Sequence, residues 1–154
     1  MHPELILASA SPYRRALLAR LGLPFTAVAP AIDERPLAGE RPVETAVRLA
    51  AAKAEAVAGR HPDRLIIGCD QVGEVEGRIL GKPGGAEEAA AQLALMAGRE
   101  IRFHTALCVL HREGGLIERA LDCTEVRMRA LEEQEIRRYL AAEEVAGCAG
   151  SFRV

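Results

Sequence analysis

The chain has 154 residues, 49% of them apolar and 27% charged, at a net charge of −2; that supports one domain with a real core and excludes a disordered segment or a broadly basic nucleic-acid binder. No stretch is apolar for the ~20 residues that a membrane-spanning helix needs, and the start Met1-His2-Pro3-Glu4 lacks the basic and apolar regions of a secretory leader. None of the four cysteines pairs at Cys-x-x-Cys spacing, which argues against a zinc ribbon or redox motif and makes a reducing cytoplasm the expected compartment.

In chain order, Glu4 to Ala8 reads as a strand and Pro12 to Leu21 as a helix. Between them, Ser9-Ala10-Ser11-Pro12-Tyr13-Arg14-Arg15 forms a hydroxyl-rich turn. Ser11 suits the N-cap and Pro12 the first helical position. Free backbone N–H groups, the helix dipole, two serine hydroxyls and two arginines would favour a phosphate there. A plain N-cap with two surface arginines is the competing reading.

Phe25 to Ala29 is the second strand candidate, and the irregular stretch after it carries the adjacent carboxylates Asp33 and Glu34. Such a pair in a loop is ordinarily solvated, and it matters only if a metal needs a second carboxylate beside Asp70. Val43 to Gly59 reads as a helix whose inward stripe is Val43, Ala46, Val47, Ala50, Ala54 and Val57. Lys53 falls on the edge of that stripe, with Arg48 and Glu55 further away. Either its stem snorkels outward, the commoner outcome, or its ammonium reaches inward to an anion.

Arg64 to Gly68 is the third strand candidate, with Asp70 immediately after it. Ligands of α/β folds bind beyond strand ends, so Asp70 is placed to activate water or hold a divalent ion. Val72 and Val75 continue the apolar character, which weakens the alternative of a simple turn aspartate. Lys82 lies in Leu80-Gly81-Lys82-Pro83-Gly84-Gly85, a loop that lets backbone approach a ligand; a solvated loop lysine is an equally good reading. The spacing is not that of a P-loop.

Ala86 to Ala97 and Glu132 to Ala142 read as helices, and Arg99 to His111 and Leu116 to Arg129 as neighbouring strands turned at Gly114-Gly115. Cys69, Cys108 and Cys123 fall in strand-like runs and are expected to be buried thiols. His2, His61, His104 and His111 show no ligand spacing; His104 and His111 are read as strand residues. The order of elements predicts a single α/β domain over 1–154, with a mixed twisted sheet flanked by helices.

The ordered set Ser9-x-Ser11-Pro12-x-Arg14-Arg15, Asp33-Glu34, Lys53-Ala54, Gly68-x-Asp70 and Gly81-Lys82-Pro83 resembles the Maf-like nucleotide pyrophosphatases. Leu95-Met96-Ala97-Gly98, the strand through Thr105, and Cys148-Ala149-Gly150-Ser151-Phe152 extend the likeness over essentially the whole chain. The resemblance implies a Maf/ITPase-like fold with a central cleft. It also implies hydrolysis of a nucleoside triphosphate between its α and β phosphates with a divalent cation of the Mg or Mn class. On that likeness Asp70 is the general base and a metal ligand, and Glu34 a second metal ligand. Ser9, Arg14, Lys53 and Lys82 hold the phosphates, with Arg15 also matching the motif.

Three details resemble the family's 7-methyl-GTP branch rather than its dTTP/UTP branch: Tyr13, Gln71 and the turn Cys148–Phe152. A 7-methylated guanine is cationic and an aromatic face attracts a cation, so Tyr13 and Gln71 are the expected base contacts. Against the family, the chain is expected to lack a C-terminal segment. A dTTP/UTP pyrophosphatase, a nucleotide-binding module with little turnover and, last, a regulatory interaction protein are the alternatives. A nucleoside triphosphate is the expected partner, with no membrane and no stable nucleic-acid complex; a homodimer is compatible with the reading.

Overall fold

A computed structural model of the chain describes residues 4–144 and 147–151. Phe152, the end of the motif beginning at Cys148, lies outside the described residues, as do the first three residues. The elements run β1 (Leu5–Ala8), α1 (Pro12–Ala19), β2 (Phe25–Ala27), α2 (Pro42–Ala58), β3 (Leu65–Val75), β4 (Arg78–Leu80), α3 (Ala86–Met96), β5 (Glu100–His111), β6 (Leu116–Arg127) and α4 (Glu133–Ala142). A short 3₁₀ turn, Ala149–Ser151, follows. The described strands form one sheet in the order β2-β1-β3-β5-β6, with β4 paired to β3. The pairs β1–β2 and β1–β3 are parallel and β3–β4 is antiparallel, so the sheet is mixed, as predicted.

The chain divides into two compact units, the first made of Met1–Glu40, Glu44–Asp70 and Thr105–Leu121, the second of Arg41–Val43, Gln71–His104 and Asp122–Val154. In the first unit, Ser11 caps α1 by accepting a hydrogen bond from the Arg14 N–H at 3.4 Å, and Pro12 occupies the first turn. Gly22, at φ 68°, takes the left-handed conformation that ends such a helix. The apolar positions of α1 stay outside the core: Leu17 is 62% exposed, and no residue of the helix is buried.

Helix α2 supplies the other layer. Its buried face is Thr45, Ala46, Leu49, Ala50, Lys53, Ala54, Val57 and Ala58, a helical three-and-four spacing. Lys53 thus lies within the buried face rather than on its edge, while Val43 and Val47 are only half-buried. Gly68 of β3 permits this packing. A Cβ there would meet the carbonyl oxygen of Ala50 and would stand 2.8 Å from the Ala54 nitrogen and 2.9 Å from the Ala54 Cβ. Small residues on both elements let helix and strand touch backbone to backbone.

In the second unit, Val75, Leu80, Leu93, Met96, Ile101, Phe103 and Ile136 form a buried cluster. The Glu132 N–H donates to the Glu135 carboxylate at 2.8 Å and fastens the start of α4. Strand β3 runs to Val75, well past the predicted end at Gly68; Val72 continues the face of Ile66 and Gly68, and Val75 is buried on the opposite face. Strand β4 was not predicted; at three residues it is too short to show a periodicity.

The turn between β5 and β6 is built as expected, with Gly115 at φ 64° and its N–H bonded to the Arg112 carbonyl at 3.2 Å. Strand β6 ends the strand order, and all its residues are exposed except the half-buried Val126. Cys123 therefore points to solvent, contrary to the expected burial, whereas Cys108 on β5 is buried. Hydrophobic character in β6 is not matched by a covering layer among the described residues.

Candidate active site

The parallel register sets Ala8 of β1 beside Gly68 of β3, so the turn after β1 and Asp70 fall at corresponding levels of adjacent strands. Over the first half of β3, Leu65 to Asp70, the buried positions are Ile66, Gly68 and Asp70, as alternation requires. Asp70 therefore lies inside a continuous strand, not beyond its end, on the side that carries Gly68 against α2. Lys53, 3% exposed, donates from Nζ to Asp70 Oδ1 at 2.5 Å and pairs with Glu34 Oε1 at 2.7 Å. The inward alternative is the one realised: an ammonium on a buried helix face is satisfied by two carboxylates.

Arg14, from the first turn of α1, places Nη2 3.9 Å from the same Asp70 oxygen. The buried Ser9 accepts the Ser11 N–H on its Oγ at 3.1 Å, which shapes the turn leading into α1. Ser9, Arg14, Glu34, Lys53 and Asp70 all belong to the first unit, and the last four form one chain of opposite charges. Tyr13 stands beside Arg14 on α1 and is half exposed. Cys69 precedes Asp70, and burial pushes its thiol pKa up, which keeps it protonated and chemically quiet.

The two adjacent loop carboxylates have separate fates. Asp33 accepts the Arg35 N–H at 3.0 Å and pairs with the Arg35 guanidinium at 2.6 Å. Those hydrogen bonds draw its pKa down to about 2. It closes a local turn, leaving Glu34 to meet Lys53. Gln71 follows Asp70 on β3 but is exposed, since neighbouring strand residues face opposite ways.

Lys82 and Gln71 belong to the second unit. Lys82 is exposed on the loop between β4 and α3. The carbonyl before it, on Gly81, accepts from Gln92 Nε2 at 3.0 Å and from the Gly150 N–H at 3.4 Å. Ser151, fully buried, donates its hydroxyl to Gln92 Oε1 at 2.5 Å. Gln92 therefore ties the Lys82 loop to the Ala149–Ser151 turn, a link with no sequence signal beyond a polar residue on an alanine-rich helix.

Sequence reasoning also missed Glu40, Thr45 and Arg48. The Glu40 carboxylate accepts from Thr45 Oγ1 at 2.8 Å, from the Leu37 N–H at 3.0 Å and from Arg48 Nε at 2.5 Å. The Arg48 hydrogen bonds are the main reason that the Glu40 pKa falls to about 2. Nothing in the helical periodicity marks Glu40, which precedes the helix, or Arg48, which lies off the stripe.

The described residues contain no group of three His, Cys, Asp or Glu side chains close enough to cage a metal. A magnesium-like ion does not need one; it commonly takes one or two carboxylates and completes its shell with substrate phosphates and water. Asp70 and Glu34, drawn to one point by Lys53, are a donor set of that kind.

The model of the family described as "Maf-like protein" matches residues 4–154. The chain belongs to the Maf-like family. Proteins named 7-methyl-GTP pyrophosphatase from Xanthomonas campestris and Xanthomonas oryzae are 52% and 54% identical to it, each over 99% of this chain and 79% of the relative. One of the same name from Chromobacterium violaceum is 47% identical over 97% of this Maf-like chain and 78% of its own length. A HAM1 protein from Coxiella burnetii shares the fold at a TM-score of 0.53 and 17% identity, over 82% of this chain and 73% of that one. No helix among the described residues is long and apolar enough to cross a membrane.

Proposed function

We propose that this chain is a nucleotide pyrophosphatase that cleaves a nucleoside triphosphate between its α and β phosphates, with 7-methyl-GTP as the preferred substrate. The observation that carries the reading is the buried Lys53 held between Asp70 and Glu34, with Arg14 on the same Asp70 oxygen. Relatives named 7-methyl-GTP pyrophosphatase, about half identical to this chain, supply the activity and the base.

Each residue type suits the chemistry. Asp70 takes a proton from water as its oxygen attacks the α-phosphorus. The bond to the bridging oxygen breaks, and pyrophosphate leaves with the electron pair. Negative charge grows on that leaving group, where Arg14 and Lys53 serve as fixed counter-charges. The Ser9 hydroxyl, which accepts the Ser11 N–H, keeps its own proton to donate to a phosphate oxygen. Asp70 and Glu34 would hold a divalent cation of the Mg or Mn class, which would supply charge neutralisation on the triphosphate.

Tyr13, half exposed beside Arg14, offers its ring to the cationic base. The compartment is the cytoplasm. The test is a panel of 7-methyl-GTP, GTP, dTTP and UTP, assayed for pyrophosphate with and without EDTA. Highest turnover on 7-methyl-GTP, abolished by EDTA, is expected; preference for dTTP or UTP overturns the substrate assignment.

A further inference from the structure

Glu34 sits on the irregular stretch between β2 and α2, where no ladder fixes the backbone. The Glu34 carboxylate must still reach Lys53 on the buried face of α2. The stretch is also fastened to α2 close to Glu34. Arg48 Nη2 donates to the Arg35 carbonyl, next in the chain after Glu34, at 3.1 Å. The same guanidinium grips Glu40 twice, from Nε to Oε1 at 2.5 Å and from Nη2 to Oε2 at 2.8 Å. Glu40 in turn holds the Leu37 N–H and the Thr45 hydroxyl, so its side chain is only 9% exposed.

From this clamp we infer that Arg48, seated by Glu40, is a positioning residue that sets the Glu34 carboxylate against Lys53. Its catalytic consequence rests on the function proposed above. Arg48 and Lys53 ride on one helix, so the clamp transmits the placement of α2 to the loop. The planar guanidinium is needed because one side chain must meet a carboxylate with two N–H groups and a backbone carbonyl at once. A lysine, with a single ammonium on a flexible stem, cannot reproduce that fork.

The decisive measurement is the Nζ resonance of Lys53 in protein labelled on lysine, read without metal or nucleotide. Glu34→Gln is expected to shift it. Arg48→Lys and Glu40→Gln are expected to shift it the same way, and neither should shift it further once Glu34→Gln is present. The amide spectrum of each variant reports that the fold is kept, and the two clamp variants back each other up. A Lys53 signal unchanged by Arg48→Lys overturns the inference. So does a signal that Glu34→Gln leaves in place, or effects that simply add. In the activity assay Arg48→Lys is expected to lower pyrophosphate release about 10-fold, and by nothing more in the Glu34→Gln background. A native chain that releases no pyrophosphate from 7-methyl-GTP would remove the proposed function while leaving the Lys53 resonance test intact.

Discussion

Lys53 and Asp70, 17 residues apart in the chain, meet at 2.5 Å with both side chains nearly sealed from water. In Asp70→Asn, Lys53 still has Glu34 at 2.7 Å as counter-charge, so the fold is expected to survive. Loss of the base is expected to cut pyrophosphate release by about 10²–10⁴-fold. Circular dichroism melts alongside the release assay check this; a folded variant with near-native turnover takes the base assignment away from Asp70.

Lys53→Met should behave differently. It removes the ammonium that bridges the buried Asp70 carboxylate and Glu34, leaving Asp70 with Arg14 at 3.9 Å. Removing one member of a buried pair costs about 3–5 kcal/mol, and because Glu34 is half exposed the lower end is expected. Urea unfolding of the two variants side by side should rank Lys53→Met as the less stable.

Gly68→Ala adds one methyl group and should still be poorly tolerated. The new Cβ would stand 2.8 Å from the Ala54 nitrogen and press on the Ala50 carbonyl, both helix backbone with little freedom to yield. Overpacking of this kind costs about 1–3 kcal/mol. It moves the helix that carries Lys53, so both the denaturation midpoint and turnover are expected to drop. An unchanged midpoint would mean that α2 is not seated on β3 as described.

Glu40 gives a pH signature. The Arg48 hydrogen bonds, followed by those from Leu37 and Thr45, hold its pKa near 2 against an ordinary value of 4.5. A carboxyl depressed by folding stabilises the native state fully above its unfolded value, and that stabilisation fades as acid protonates the folded group. The stability difference between native protein and Glu40→Gln is expected to be widest above pH 4.5 and to shrink as the pH falls toward about 2. A constant difference across that window would show that the ion pair contributes nothing.

Tyr13→Ala tests base selection. A cation–π contact is worth about 0.5–2 kcal/mol, so KM for 7-methyl-GTP should rise by roughly 2- to 30-fold while KM for GTP changes less. Tyr13→Phe should retain the native value. Equal losses on both nucleotides would place the role of Tyr13 in packing of α1 instead.

Local rules made much of this legible in advance. Ser11 and Pro12 announce the start of α1 because capping needs only neighbours, and Gly115 marks the β5–β6 turn for the same reason. Family likeness then drew Asp70, Lys53, Glu34 and Arg14 together before any coordinate did. What stayed hidden depends on contacts distant in sequence. Periodicity assigns a lysine like Lys53 to the edge of an apolar stripe because it cannot see two carboxylates waiting for it. Cys123 reads as buried because strand character in a sequence does not reveal whether a layer covers that face. Arg48 and Glu40 looked like ordinary surface charge, since a clamp between a loop and a helix leaves no repeat to detect.

Strand β6 shows another use of charge. Twelve consecutive residues at the limit of the strand order would be a template for unwanted cross-β growth if they were uniformly oily. Glu118 and Arg119 separate Ile117 from Leu121, and Asp122 and Glu125 follow, so no more than two apolar side chains occur in a row. These residues act as gatekeepers: the strand keeps its backbone register with β5 while offering a poor seed for aggregates. Neutralising them one by one should leave the fold alone and shorten the time the protein stays in solution.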